Sequence, residues 1–158
     1  MKRIAMVLGV LLLVAFGYNK PAQMRLDAEI DRQCAVDGGI KVYETVQLPP
    51  EKFDEYGNLI YFSGVGVKHE DWLGPDYIYK TETTWLNPGG EQVVPRAWRT
   101  HDQVFRRADG KLLGESIYYG RYGGSPRWLL MLLNAHDTSH YRCPEGSIAV
   151  TGKIFIKK

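Results

Sequence analysis

Two groups of residues in this chain combine types and spacings that could do chemistry. The first is His136-Asp137-Thr138-Ser139-His140. Two histidines four apart meet on one face of a helix and can share a zinc ion. Zinc hydrolases of the His-Glu-x-x-His kind place a Glu after the first His as general base. Asp137 holds that place here, one methylene shorter, and would stand farther from a metal-bound water. Thr138 and Ser139 are indifferent helix formers, and Cys143-Pro144 soon ends any helix. No third ligand stands out, since Glu145 is too near to fold back from the same helix. The competing account of His136 and His140 is a polar loop before the last strand.

The second group is Arg99, His101 and Glu115, with Tyr119 and Arg121. These would share one face of a hairpin, His101 opposite Ile117 and Arg99 opposite Tyr119. A His beside an acid can act as general base. Polar ladders of this kind are also ordinary on the solvent face of a sheet. No residue is assigned a catalytic role. Ser63, Ser116 and Ser125 do not sit in Gly-x-Ser-x-Gly, so the hydrolase elbow is absent. No glycine loop followed by Lys and Ser or Thr is present, and Gly64-Val65-Gly66 lacks a third glycine and a following helix. No cofactor is implied.

The elements that would position these residues follow from periodicity. Pro21 to Val36 reads as a helix, with Met24, Leu26, Ile30 and Cys34 inward and Arg25, Asp27, Glu29, Asp31 and Arg32 outward. Asp37-Gly38-Gly39 ends it. Ile40 to Leu48 reads as a strand with Ile40, Val42, Val46 and Leu48 on one face. Glu44 falls on that same face, where an edge position or an Arg partner would accommodate it. Pro49-Pro50 breaks the strand, and 51–56 suits a helical turn. Leu59 to Val67 reads as a strand, and so does Asp76 to Leu86, which lines up Tyr77, Tyr79, Thr81, Thr83 and Trp85.

Ala97 to Arg107 and Lys111 to Arg121 form the clearest unit, a hairpin closed by Ala108-Asp109-Gly110. Its register sets Phe105 opposite Leu113 and Trp98 opposite Gly120, an aromatic over bare backbone. Arg127 to Ala135 reads as a short apolar helix or irregular cover, and Ser147 to Ile156 as the final strand, with Ile148, Val150, Ile154 and Ile156 together. Strands on short connections favour antiparallel pairing. The expected fold is α+β: an N-terminal helix packed on a mainly antiparallel β-sheet, in a single domain.

The N-terminus bears on where this domain works. Lys2 and Arg3 precede an apolar run from Ile4 to Phe16, the layout of a secretory signal. The run is shorter than the roughly 20 residues of a bilayer span. Cleavage after Gly17 would release 18–158; an uncleaved anchor over 4–18 is the alternative. Either way the domain lies beyond the membrane, in the periplasm or on the outer face of the inner membrane. The chain carries 20 Lys and Arg against 18 Asp and Glu, so loss of Lys2 and Arg3 leaves a neutral domain. Neutrality argues against a nucleic-acid partner. The membrane would be touched through the N-terminal segment alone. Cys34 and Cys143 are the two cysteines. In an oxidising compartment they read as a disulfide, worth roughly 4 kcal/mol for a loop this long.

The run Cys34-Ala35-Val36-Asp37-Gly38-Gly39-Ile40-Lys41-Val42-Tyr43-Glu44-Thr45-Val46, with Leu48-Pro49 after it, resembles a group of small exported bacterial proteins. Asp109-Gly110-Lys111-Leu112-Leu113-Gly114-Glu115, Tyr119-Gly120-Arg121 and Cys143-Pro144 are similar to theirs as well. That group has no assigned activity, so the resemblance implies export and no site residue. Its members are rich in Pro and Ser after the position of Gly124, where this chain has the apolar 128–133.

The expected function is a small exported binding or accessory domain of the cell envelope, its partner an envelope protein or a small ligand. Tyr77, Tyr79 and Trp85 on the aromatic strand and Arg99 and Arg121 on the basic segment are the expected binding residues. A zinc hydrolase using His136, Asp137 and His140 is the first alternative, and a membrane-anchored structural subunit the second.

Overall fold

The hairpin is the centre of the structure. A computed structural model describes residues 23–62, 64–88, 90, 95–125, 131–134, 139–146 and 149–158. The signal-like segment, His136, Asp137 and most of 127–135 lie outside the described residues. No helix among the described residues is long and apolar enough to cross a membrane.

The order is α1 (23–37), β1 (Gly39–Val42), β2 (Val46–Leu48), β3 (Tyr77–Trp85), β4 (Arg96–Arg106), β5 (Leu112–Tyr122), β6 (His140–Cys143), α2 (Thr151–Ile154) and β7 (Phe155–Lys157). β3, β4 and β5 are consecutive antiparallel neighbours. The far edge of β5 is shared: β1 pairs with Gly114–Ile117 and β6 with Tyr119–Tyr122. β2 and β7 form a separate parallel pair. The molecule is thus α+β, with an N-terminal helix on a mainly antiparallel sheet.

α1 buries Ile30 and Cys34, with Leu26 beside them, against Ala97, Ile117 and Tyr119. That stripe, spaced by four, is the helical periodicity at work. Met24 is not part of it and is exposed. Acidic side chains along α1 reach the sheet. Asp27 accepts from Arg121 Nε at 2.6 Å, Asp31 accepts from the Tyr141 hydroxyl, and Asp37 accepts from Arg99 and Tyr119. Cys34 and Cys143 form a disulfide, which fastens the last turn of α1 to the end of β6.

The opposite face has a second core of Val104, Leu113, Val150, Ile154 and Phe155, flanked by Tyr77 and Tyr79. Here the structure corrects three expectations. The strand expected over 40–48 is two strands: Tyr43 N and Glu44 N both donate to Leu113 O, and the chain leaves the sheet. Glu44 finds an Arg after all, Arg106, and Lys111 Nζ at 2.7 Å. No strand forms between Leu59 and Val67 among the described residues. Ile60 N donates to Lys52 O and Phe62 N to Trp72 O, so these backbone groups serve loops. The expected final strand is instead α2 and a short β7. Val150 and Ile154 are buried because they sit one helical turn apart. The helical turn expected over 51–56 is a 3-10 turn at Pro50–Lys52.

Within the hairpin, Trp98 faces Gly120, His101 faces Ile117 and Arg99 faces Tyr119, as the sequence predicts. Phe105 faces Leu112 rather than Leu113, because the register shifts between Val104 and Phe105. The extra residue of this bulge is Leu113, whose side chain is fully buried and whose carbonyl turns out toward Tyr43 and Glu44.

Candidate functional site

Alternation along three paired strands puts Trp85, Trp98 and Gly120 in one row and Thr83, Thr100 and Tyr118 in the next. Arg96 and Tyr122 pair in a further row of the same face. These rows lie beyond the second core, on the face opposite α1. Together they line a cavity of about 540 Å³.

The floor is Trp98. Its benzo ring lies on the backbone of Gly120, where a Cβ would fall 2.5 Å from Cζ2. A glycine is required beneath a ring held that close. Trp85 stands as a wall, its ring 6.1 Å from that of Trp98 and inclined by 67°. Gly90, in the left-handed region at φ 59°, comes up against the indole of Trp85. The strand ends are closed by Leu86 N donating to Ala97 O and by Ala97 N donating to Asn87 Oδ1 at 2.8 Å. The Arg96 guanidinium lies 5.3 Å from the centre of the Tyr122 ring, and that of Arg142 lies 5.7 Å from the centre of the Tyr118 ring. Such cation–aromatic contacts hold a positive charge at the rim. Trp85 and Tyr122 remain 37% and 38% exposed, large values for aromatics on an ordered sheet. Among the described residues the lining mixes indole faces, hydroxyls and one guanidinium, with no carboxylate. That mixture suits a ligand with both apolar and hydrogen-bonding surface.

The residues singled out from sequence are dispersed. Trp85 belongs to the groove. Tyr77, on the same strand face, packs edge-on against Phe155 at 4.8 Å in the second core. Tyr79 stands beside His69, 5.1 Å between ring centres, and burial together with nearby Asp102 pushes its hydroxyl pKa far up. α2 and β7 cover one half of this face, which is why five aligned residues do not share one role. Arg99 and Arg121 point to the other face. Arg99 Nη2 donates to Asp37 at 2.8 Å, and Arg121 is almost wholly buried against Asp27 and the carbonyl of Gly123. Both are spent on seating α1.

His101 and Glu115 do meet, Nε2 to Oε2 at 2.7 Å. The Tyr43 hydroxyl donates to the other carboxylate oxygen at 2.6 Å, and Lys41 Nζ is 3.9 Å away. The Tyr43 hydrogen bond is the main force lowering the Glu115 pKa; burial opposes it, and His101 adds to it. The carboxylate is therefore fully engaged, bracing β1 and the following residue Tyr43 against the hairpin.

His140 opens β6, so a helix carrying it one turn after His136 does not extend to its position. No group of three or more His, Cys, Asp or Glu that could hold a metal occurs among the described residues.

The described residues also form smaller cavities. One of about 480 Å³ lies between Lys68–Glu70 and the outer edge of β3, and one of about 450 Å³ lies among Tyr61, Phe62 and Trp72. The first has Tyr79, Thr81 and Lys80 from β3 but also the carboxylates of Glu70 and Glu82, and neither sets two strand-borne tryptophans side by side. The sequence points to the basic segment from Arg96 to Arg127 without singling out Trp98, Tyr118, Tyr122 and Arg96 within it. The signal was present in the hairpin register, which already places Trp98, Tyr118 and Tyr122 on one face.

No protein-family model, no curated protein and no solved structure matches the chain.

Proposed function

We propose that this protein is an exported binding or accessory domain of the cell envelope, and that the groove on β3, β4 and β5 holds its ligand. The observation that carries the reading is the half-exposed pair Trp85 and Trp98 beside Tyr118 and Tyr122 on rigid strands. Exposed aromatics on a fixed scaffold bind with little entropic cost. Export is supported by the charged and apolar N-terminus and by the disulfide, which persists outside reducing compartments. The neutral charge of the domain fits a ligand-binding role better than a nucleic-acid one.

The test is native mass spectrometry of the protein recovered from its own envelope without chelator or reductant. The wild type is compared with Trp85→Ala and Tyr122→Ala, each checked for an unchanged melting curve. A bound component lost in both variants supports the groove. Retention in both variants overturns it. The same spectra read metal content and the presence of residues 1–17, which separate the zinc hydrolase and the anchored subunit from this reading.

A further inference from the structure

We infer that the outer edge of β3 is a docking site for an extended peptide segment that reads basic, any residue, acidic, and that adds to the sheet as an antiparallel strand. β3 stands last in the strand order of the main sheet, and its register with β4 runs from Tyr77 to Trp85 without a shift. Beside it lies the cavity of about 480 Å³, lined on this side by Tyr79, Lys80, Thr81 and Glu82. Successive side chains of a strand point to opposite faces, and β4 occupies the inner edge of β3. Four consecutive residues can therefore share one cavity only where it runs along the outer edge.

The backbone there is set to pair. Leu86 N donates to Ala97 O and Arg107 N donates to Asp76 O, so just past each end of β3 an even-numbered residue bonds inward. In an antiparallel ladder the alternate residues then turn both N–H and C=O outward. Across an unshifted register these are Tyr79, Thr81 and Thr83, and the first two line the cavity. The far wall is Lys68, His69 and Glu70, with the His69 ring 5.1 Å from that of Tyr79. A cleft walled on that side takes one extended chain and holds off the edge of a second folded sheet.

Charge selects the chain. The far wall compensates itself, Lys68 Nζ standing 3.7 Å from Glu70. Lys80 and Glu82 are exposed and lie two apart on one face of β3. Glu82 has no hydrogen bond or ion pair among the described residues, and the Lys80 ammonium lies 5.2 Å from the centre of the Phe105 ring. Both fall at non-hydrogen-bonded positions of the added pair, where opposed side chains come closest. In an antiparallel partner, the residue opposite Glu82 comes two before the residue opposite Lys80. A base followed two residues later by an acid meets both charges favourably, and the reverse order meets neither.

The experiment measures the fluorescence anisotropy of dye-labelled heptapeptides titrated with the intact, disulfide-bonded protein. Thr-Val-Lys-Thr-Glu-Val-Thr is expected to bind about fivefold or more tighter than the same peptide with Lys and Glu exchanged, because two opposite-charge contacts become like-charge ones. A methyl on the backbone nitrogen of its central Thr, which faces β3, should abolish binding. A methyl on the Glu nitrogen, which faces away, should leave it. The double variant Lys80→Glu, Glu82→Lys should exchange the ranking of the two peptides, an outcome that loss of folding would not produce. Equal binding of the two peptides, or tighter binding of the exchanged one, overturns the register. Equal effects of the two methyls overturn strand addition. No binding of either peptide up to about 1 mM overturns the site. A protein dimer in native mass spectrometry that the first peptide splits would give this edge to a second copy and overturn the peptide partner.

Discussion

The indole of Trp98 occupies the space that a side chain on Gly120 would need, with Cζ2 2.5 Å from the place of the missing Cβ. Strand pairing sets the two residues directly opposite each other, so the contact belongs to the register and not to a loop. The groove floor is therefore as rigid as the hairpin beneath it.

Gly120→Ala forces that ring to move. It is expected to destabilise the protein by about 1–3 kcal/mol, the usual cost of overfilling a packed site. Urea unfolding measures the loss, and near-ultraviolet circular dichroism should show altered tryptophan signals. A loss under about 0.5 kcal/mol with an unchanged spectrum would mean the ring does not rest there.

Asp37 gives the fold an acid sensitivity. Burial raises its pKa, but hydrogen bonds from Tyr119 and Arg99 outweigh that and hold it below the ordinary carboxylate value. A lowered folded-state pKa supplies stability that is present above the unfolded value, about 3.9, and is lost as pH falls through the folded one. Asp37→Asn should cost about 1–2 kcal/mol at neutral pH. The difference between variant and wild type should shrink as pH drops below about 4. Urea midpoints from pH 7 to pH 2.5 check this; a constant difference would remove Asp37 as the source.

Replacing both cysteines by serine opens a loop with a sequence separation of 109. The expected loss is about 4–5 kcal/mol, which the chain-entropy model assigns to a closure of this length. Denaturant unfolding of the variant beside the wild type, both without reductant, gives the number directly.

His101→Ala tests whether the polar cluster on the helix face takes part in binding. His101 and the groove lie on opposite faces of the sheet. The variant is expected to lose about 1 kcal/mol of stability and to keep the component that native mass spectrometry finds on the wild type. Weakened binding at unchanged stability would tie the cluster to the ligand.

The hairpin, α1 and the disulfide were legible because each rests on a simple pattern: alternation around a three-residue turn, a stripe spaced by four, two cysteines in an even count. What was not legible depended on distant segments. Ile40 to Leu48 alternates apart from Glu44, and only the bulge at Leu113 reveals why it splits. Val150 and Ile154 fit a strand face and a helix turn equally, an ambiguity inherent in short apolar runs. The place of Trp85 on a strand face was readable, whereas the packing of Tyr77 and Tyr79 was not, because coverage by β7 and α2 is decided by the last residues of the chain. Arg99 and Arg121 looked like surface cations until the acids on α1 were seen to face them.

The bond between Cys34 and Cys143 encloses β3, β4 and β5 within its loop, leaving α1 almost entirely before it and α2 and β7 after it. Tension applied between the two ends of the chain would thus run from residue 34 to residue 143 through sulfur and bypass every strand that builds the groove. Stretching could peel α1 and the C-terminal segment away, yet no pull along the backbone could lengthen the distance across the strands in between. A domain tethered at one end and pulled at the other would keep its grip with the sheet mechanically shielded.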